Sequence, residues 1–361
     1  MKRYSFCSAA SAVKPATRSL IAASLCVIPT LLITMPLARG QWTPSTTWSV
    51  TIVLPPKLVA GRPATLAVLG ADAHLAADVT VDLGNNQHVR TDATGRAFFT
   101  VPASGGFLVA KAAGTSSVAL VDANLQITER PALKVAPVIS IQDRFTICGS
   151  GFRGDADANR VKINDGVALV MAASPECLVA FPGPMAMPGP AKITVEAPGM
   201  QWTGTTTLVS LQFEAPRPAL TPGKRSRLGV RVIGSGERLR ISVVNQTPGV
   251  LRFAKGDTQE LVTSGGAQNL AELEVESIGS GDFSFRARLV PIPDAELSGR
   301  YLQVAANLAP AYLQKDVKNL AERLQRHPGD IKQARRDLGK ILSVTISGDF
   351  RTLLDAAFSS L

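Results

Sequence analysis

Short runs of alternating apolar and polar residues follow one another along most of the chain. Gly, Pro, Asn and Asp separate these runs at intervals of roughly ten residues. Clear examples are residues 48–54, 79–83 and 106–110. Alternation with a period of two buries one side of a run and leaves the other in water, as in a β-strand. Many short strands at this spacing predict small β-sandwiches.

Two proline-containing segments, 129–137 and 214–222, divide the strand pattern into three groups. Proline limits backbone freedom, so we expect these connectors to hold the neighbouring modules at defined angles. The sequence therefore predicts β-sandwiches over residues 41–135, 136–213 and 214–303.

The hydrophobic period changes after Tyr301. Aliphatic residues then follow at helical spacing, at Leu313, Val317, Leu320 and Leu324. Asp330 and Asp349 can each begin a further helix. We therefore predict a small helical tail over residues 304–361 on a protein that is otherwise mainly β. Helices this short are unstable alone, so their apolar faces must meet each other, the third sandwich or another protein.

The central stretch carries a distinctive order of glycines and strands. It reads Phe-Thr-Ile-Cys-Gly-Ser-Gly-Phe at 145–152 and Asn-Arg-Val-Lys-Ile at 159–163, and a later strand closes with Pro182. Over residues 137–213 this order resembles the IPT/TIG family of immunoglobulin-like (Ig-like) domains. The resemblance implies an Ig-like sandwich but no particular activity, because such sandwiches serve many functions. The expected fold class is thus mainly β, with tandem Ig-like sandwiches and a C-terminal helical tail.

The first module contains a second motif, Thr-Asp-Ala-Thr-Gly at 91–95, followed by Ala97 and Phe99. This motif resembles the loop and strand of bacterial Ig-like and carboxypeptidase-regulatory-type domains. The structural alternative is a simple Asp/Gly turn in which Gly95 takes a positive φ. We favour the turn.

Residues 1–40 have the pattern of an export signal, with a basic start and an uncharged stretch over residues 19–38. The small residues Ala38 and Gly40 predict cleavage before Gln41. The uncharged stretch is also long enough to span a bilayer, so an uncleaved N-terminal membrane anchor is the alternative. Both interpretations place most of the chain in the periplasm, on the cell surface or outside the cell.

The net charge of +10 is concentrated at the N-terminus. Residues 1–40 hold five basic residues and no acidic one, so the remainder carries 10 minus 5, or +5. The densest later basic run is Lys224, Arg225 and Arg227, with Arg231 nearby. Aromatic residues make up 5% of the chain and none lies within this run, which argues against a nucleic-acid partner. We interpret the run as a solvated strand edge that discourages edge pairing.

Groups that commonly carry catalysis are sparse. The three histidines, His74, His88 and His327, are spread over two modules. The sequence has no nucleophile-elbow, zinc-protease or phosphate-loop motif. We therefore predict that the protein is not an enzyme and has no catalytic residue and no cofactor.

One loop, with Asp155, Asp157 and Asn159, begins like a calcium loop because oxygen ligands alternate along it. An EF-hand needs Gly at its sixth position and Glu at its twelfth, where this sequence has Arg160 and Gly166. The EF-hand interpretation therefore fails. An irregular surface calcium site on the same three residues is the alternative to the polar loop that we prefer.

Cys148 and Cys177 are the only cysteines after residue 40. In an oxidising compartment, two cysteines in one small domain usually pair, so we predict a disulfide between them. Phe145 and Ile147 would face the core, which turns Cys148 outward. The alternation around Leu178 turns Cys177 outward as well.

Export, the strand pattern and the sparse catalytic groups favour a non-enzymatic cell-envelope or secreted protein. Its tandem modules would act as spacers and as binding faces for protein partners. The alternative is the carbohydrate-binding portion of an exported polysaccharide-active system, which IPT/TIG-like modules often accompany. A glycan site needs an exposed stripe of aromatic rings, and the candidates are Trp42, Trp48, Trp202, Tyr301 and Tyr312. They lie far apart in sequence, which makes glycan binding the weaker hypothesis.

Overall fold

The structure, a computed structural model, describes residues 50–103, 105–124, 133–345 and 348–361. The predicted export signal and part of the connector at 129–137 lie outside these ranges. Within them the chain is mainly β and ends in four α-helices. No helix among the described residues is both long and apolar enough to cross a membrane.

The first sandwich is built from eight strands. They are β1 (Thr51–Val53), β2 (Lys57–Val59), β3 (Pro63–Leu69), β4 (Thr80–Asp82), β5 (His88–Arg90), β6 (Arg96–Thr100), β7 (Gly106–Ala112) and β8 (Thr115–Asp122). Strands β1, β3 and β6 form one layer, and β2, β8, β7, β4 and β5 form the other. Leu58, Leu66, Val81, Phe99 and Leu108 belong to the core between the two layers.

The central sandwich follows, with a short 3-10 helix (Ala156–Ala158) in one loop. Its strands are β9 (Lys134–Val135), β10 (Val138–Ser140), β11 (Phe145–Cys148), β12 (Arg160–Ile163), β13 (Gly166–Ala173), β14 (Cys177–Phe181), β15 (Gly189–Ala197) and β16 (Met200–Phe213). Strand β13 joins the two layers, because its first half pairs with β12 and its second half pairs with β14. Ile147, Val161, Leu178, Ile193 and Leu208 lie in the enclosed core.

The third sandwich has six strands of its own. They are β17 (Arg225–Ile233), β18 (Arg240–Asn245), β19 (Leu251–Phe253), β20 (Thr258–Val262), β21 (Leu270–Ser277) and β22 (Phe285–Leu289). One layer continues from β16 through β17, β21 and β19, and the other is β20, β18 and β22. Alternation is clear along β21, where Leu273 and Val275 enter the core while Glu272 and Glu274 are exposed.

Both joints between the sandwiches are made by direct contact. At the first joint β3 pairs with β13, and Val53, Leu69, Met171 and Val179 share a small apolar cluster. At the second joint β16 serves two sandwiches, because its first part pairs with β15 and its last four residues pair with β17. A continuous strand thus fixes the second joint, which the proline pattern at 214–222 does not reveal.

The C-terminal tail contains α1 (Ala295–Leu308), α2 (Ala311–Arg326), α3 (Ile331–Val344) and α4 (Asp349–Ser360). The predicted boundary of the third sandwich at residue 303 is wrong, because α1 already begins at Ala295. Asp294 is the N-cap residue, and its side chain accepts a hydrogen bond from the Leu297 N–H at 2.9 Å. The buried face of α1 includes several small residues, which weaken its hydrophobic period.

The apolar faces of the four helices pack against one another and against the first sandwich. Their shared core includes Leu302, Leu320, Leu338 and Leu353, together with Leu120 of β8. Ion pairs join the same surfaces, between Lys111 and Asp349 and between Arg300 and Asp122. The tail therefore covers the outer side of the β7–β8 layer. The prediction that the apolar faces meet each other is confirmed, and Arg335 of α3 also lies 3.9 Å from Glu260 of the third sandwich. The contact with the first sandwich was not predicted.

Candidate binding face of the central sandwich

Strands β13 and β14 carry apolar side chains on their outer side as well as in the core. Ala168 and Val170 of β13, and Leu178 and Ala180 of β14, enter the core. The residues between them point outward, and Leu169 lies directly opposite Phe181 in the antiparallel register. Leu169 is 47% exposed and Phe181 is 37% exposed.

The loop after β14 extends this apolar surface. Gly183 lies so close to β13 that an added Cβ would meet the Val167 carbonyl oxygen at 2.1 Å, so the loop is held against the strand. A Cβ on Gly166 would lie 3.5 Å from the Cβ of Met185, whose side chain is 77% exposed. We define the outer apolar face as Val167, Leu169, Phe181 and Met185. The equally exposed Met187 belongs to the same loop.

An open groove of about 430 Å³ runs beside this face. It lies between the 3-10 helix and β13, and its lining residues are Ala156, Asp157, Asn159, Arg160 and residues 167–170. The candidate calcium loop with Asp155, Asp157 and Asn159 thus borders the outer apolar face. Charged groups stand at its margin, since Arg160 and Asp165 are exposed.

The three residues of the candidate calcium loop each have a local partner. Asp155 caps the 3-10 helix by accepting a hydrogen bond from the Asp157 N–H at 3.0 Å. The Asp157 carboxylate binds both terminal nitrogens of Arg96, at 2.7 and 3.0 Å. Asn159 is buried, accepts the Arg153 N–H at 2.9 Å and donates to the Asp155 carbonyl at 2.7 Å. Among described residues, no group of three or more His, Cys, Asp or Glu could hold a metal ion.

This loop attaches the central sandwich to the first one. The Thr65 hydroxyl of β3 donates to the Gly154 carbonyl at 2.7 Å and accepts the Ala156 N–H at 3.2 Å. Gly154 has no room for a side chain, because an added Cβ would lie 1.9 Å from the Pro63 carbonyl oxygen. The sequence does not indicate that Arg96 and Thr65 join the two sandwiches, because this role depends on a contact between separate modules.

The structure contains the predicted disulfide between Cys148 and Cys177, whose Cα atoms are 4.2 Å apart. The two residues face each other in the antiparallel pairing of β11 with β14. Leu178 and Ala180 enter the core, as the predicted outward orientation of Cys177 requires, but Cys177 is fully buried. The first sandwich explains this burial, because the Ser174 hydroxyl beside Cys177 donates to the Lys57 carbonyl at 2.6 Å.

The motif at 91–95 forms the turn that the sequence analysis favoured. Gly95 has a φ of +72°, and an added Cβ would lie 2.7 Å from the Leu75 side chain. Asp92 closes the turn by accepting hydrogen bonds from the Thr94 hydroxyl, the Thr94 N–H and the Arg96 N–H. These bonds, with the Thr94 hydroxyl the strongest influence, lower the pKa of Asp92 below its ordinary value. The turn sets the start of β6 and hence the position of Arg96.

The aromatic candidates for a glycan site do not form a stripe within the described part of the chain. Trp202 is buried and packs edge-on against Phe152, with ring centroids 5.0 Å apart. Tyr301 is buried in the tail, and Tyr312 is 70% exposed on a different helix. Trp42 and Trp48 lie outside the described residues.

The prediction that the basic run lies on a strand edge is wrong, because β17 is an inner strand. Strand β17 lies between β16 and β21. The glutamates of β21 alternate with the same period as the arginines of β17. Cross-strand ion pairs result, namely Arg225–Glu274, Arg227–Glu272 and Arg231–Glu214. The histidines are equally peripheral, with His74 and His88 exposed beside aspartates and His327 at the end of α2.

No family model and no curated protein matches this chain. Among solved structures, it is similar to the full extracellular region of plexin A4, at 10% identity and a TM-score of 0.27, over 68% of this chain and 32% of that one. It is also similar to the I9–I11 tandem of titin, at 11% identity and a TM-score of 0.20, over 67% of this chain and 95% of titin's. Domains 4 and 5 of the S-layer protein SbsC give 14% identity and a TM-score of 0.16, over 39% and 89%.

The chain thus spans about a third of the plexin chain that it matches. The fold class follows from the chain's own sheets: it is mainly β, with tandem Ig-like sandwiches and C-terminal helices.

Proposed function

We propose that this protein is a non-enzymatic binding scaffold of the cell envelope or extracellular space, and that its outer apolar face contacts a protein partner. The observation that carries this proposal is the exposed cross-strand pair of Leu169 and Phe181, with Val167 and Met185 beside it. A contiguous apolar surface on a folded domain is commonly an interaction site.

The frame around the face supports a scaffold role. The first sandwich is fixed to the central one through Arg96–Asp157, Thr65–Gly154 and the apolar cluster of the first joint. The third sandwich is fixed to it through the continuous strand β16. A face on such a frame is presented in a defined orientation, which lowers the entropic cost of binding.

The chemistry of the face favours a protein over a glycan. Its members are two aliphatic residues, one phenylalanine and one methionine, and methionine adapts well to apolar protein surfaces. Arg160 and Asp165 give it the polar rim that is typical of protein interfaces. The expected partner therefore presents an apolar patch of its own.

Export belongs to the same proposal. Its support is the pattern of residues 1–40 together with the disulfide, since such bonds persist in oxidising compartments. The test is the N-terminus of protein recovered from its native envelope or medium. A chain that begins at Gln41 supports cleavage and export, an intact Met1 in the membrane fraction supports the anchor, and an intact Met1 in the cytosol contradicts export.

Site-specific photo-crosslinking in the native host tests the binding face. A photoreactive residue at position 169 should yield one discrete crosslinked protein, which Phe181→Ser should abolish. Position 262 is the matched control, because Val262 is an aliphatic residue on strand β20 of the third sandwich and is at least as exposed as Leu169. A product of twice the chain's mass would identify a second copy as the partner. Identical products at both positions, or none at position 169, would contradict the proposal.

A further inference from the structure

Three arginines and one carboxylate lie within electrostatic range of one another where the central and third sandwiches join. Asp143 and Arg144 lie in the turn between β10 and β11 of the central sandwich. Arg286 and Arg288 lie on β22 of the third sandwich, on the side facing away from its core, since Ala287 and Leu289 between and beside them contact that core. The Arg288 Nε lies 3.4 Å from Asp143 Oδ2 and connects the two sandwiches.

The turn that carries Asp143 and Arg144 is held in place by its neighbours. The Ile141 N–H donates to the Val209 carbonyl at 2.9 Å, and the Gln142 side chain accepts the Leu211 N–H at 2.8 Å. Both partners belong to β16, the strand that serves both sandwiches. The Asp143 carboxylate also accepts the Arg144 N–H at 2.9 Å. The arginines are thus brought together by fixed backbone.

Their charges are poorly compensated. Asp143 is the one acid that pairs with this cluster among the described residues, and Arg144 and Arg286 have no ion pair there. The Arg288 Nε is buried and lacks a hydrogen bond. Burial, followed by the charge of Arg288, lowers the pKa of Arg286 and outweighs the opposite effect of the Asp143 carboxylate. Burial is also the main cause of the lowered pKa of Arg144.

Other arginines of the third sandwich differ in this respect. Each of five has its own glutamate, and these are Arg225, Arg227, Arg231, Arg240 and Arg252. Glu260 is on the same sheet as Arg286 and Arg288, but strand β18 lies between. The Glu260 carboxylate accepts a hydrogen bond from Arg240 at 2.7 Å, and Arg335 lies 3.9 Å from it. These five arginines each have a carboxylate partner, whereas Arg144, Arg286 and Arg288 share the single carboxylate of Asp143.

We propose that Arg144, Arg286 and Arg288 bind a doubly charged oxyanion of the phosphate class. Three guanidinium groups and one carboxylate sum to 3 minus 1, or +2, which a phosphate dianion neutralises. Guanidinium groups match the geometry of phosphate oxygens and form strong charge-assisted hydrogen bonds with them. All four side chains are partly exposed, so a ligand can reach them.

The phosphate group can come from a free small molecule or from a lipid headgroup, and the chemistry of recognition is shared. Inorganic phosphate and glycerol phosphate test the first source by isothermal titration at constant ionic strength, with chloride as the reference. Sedimentation with phosphatidate-containing vesicles, against phosphatidylcholine vesicles, tests the second. The protein used is the chain from residue 41 to residue 361.

We expect saturable binding of inorganic phosphate that falls about tenfold in Arg144→Gln and in Arg286→Gln. Arg227→Gln removes the same charge from an arginine that Glu272 already pairs with, and it should change the affinity by less than about twofold. Asp143→Asn should raise the affinity roughly tenfold, because it removes the competing carboxylate. A purely structural Asp143–Arg288 pair would not give that increase.

Several results would overturn the proposal: no saturable phosphate binding in the wild-type chain, an equal loss in Arg227→Gln, or weaker binding in Asp143→Asn. Vesicle binding that Arg144→Gln abolishes would assign the ligand to a lipid headgroup. The site is separate from the outer apolar face, so Leu169→Asp should leave phosphate binding unchanged. Failure of this inference is therefore distinguishable from failure of the proposed function.

Discussion

The outer side of β13 and β14 is covered at one end and open at the other. At the covered end Met171 and Val179 lie under Leu69 and its neighbours from the first sandwich. At the open end Leu169 and Phe181 face solvent. The two ends belong to the same pair of strands and carry the same class of side chain.

This difference shows what an outward apolar residue does and does not indicate. A buried Val or Met side chain contributes about 1.5–3 kcal/mol relative to an exposed one, so the covered end stabilises the joint. The open end contributes no such stability to the isolated chain. The proposed protein partner would cover its apolar residues in the way that the first sandwich covers Met171 and Val179.

The largest expected effect comes from placing a charge at each end. Val179→Asp buries an unpaired carboxylate and should lower the free energy of unfolding by about 4 kcal/mol or more. Leu169→Asp places the same charge in water and should change it by about 0.5 kcal/mol or less. Urea unfolding followed by fluorescence measures both.

The variants Val179→Ala and Leu169→Ala make the same comparison with milder substitutions, in case Val179→Asp does not fold. Val179→Ala should still be destabilised by about 1–3 kcal/mol, while Leu169→Ala should again be nearly neutral. Equal effects at the two positions would mean that the two ends do not differ as described.

The disulfide should give the next largest effect. It closes a sequence separation of 29 residues at the covered end, and on the chain-entropy model this stabilises by about 3–4 kcal/mol. Reduction of the wild-type chain and the double variant Cys148→Ala/Cys177→Ala should both lower the melting temperature. Free thiols in exported, non-reduced protein, or an unchanged melting temperature on reduction, would contradict this prediction.

Local periodicity was enough to predict most of the fold class. Strands such as β12 and β21 alternate strictly between buried and more exposed residues. The helical spacing from Leu313 to Leu324 corresponds to the buried face of α2. The Cys148–Cys177 bond followed from composition and compartment. Helix α1 was missed in part because its buried face uses alanine, glycine and serine, which hardly register in a hydrophobic pattern.

Contacts between modules could not be predicted, because they depend on how separate units are placed. Nothing near Cys177 in the sequence indicates that the first sandwich covers it, and nothing near Arg96 indicates Asp157 as its partner. The outer apolar face was missed for the same reason. Leu169 and Phe181 look like ordinary strand residues until their neighbours are known.

The tail provides a second covered surface, which differs in chemistry from the first. Ion pairs surround its apolar contact with the first sandwich, and Lys134 near the start of the central sandwich adds one more, at 2.8 Å from Asp294 Oδ2. The joint at Met171 and Val179 is largely apolar at its centre. Acid should therefore weaken the attachment of the tail but not the apolar contacts of that joint.

Asp294 gives the smallest effect and tests this distinction. Burial alone would raise its pKa, but hydrogen bonds from Lys134 and from the Leu297 N–H outweigh burial and lower the pKa below its ordinary value of 3.8. A carboxyl group with a lowered pKa stabilises the folded chain above its unfolded pKa, and this stability is lost as the pH falls through the folded value.

Asp294→Ala should cost about 1 kcal/mol at pH 7, because it removes the N-cap of α1 as well as the charge. Asp294→Asn keeps a capping side chain and should cost about 0.5 kcal/mol or less, because Lys134 is largely exposed. The difference between wild type and Asp294→Asn, measured by urea unfolding from pH 7 to pH 3, should shrink below about pH 4. A difference that persists at pH 3 would show that the charge of Asp294 does not help to hold the tail in place.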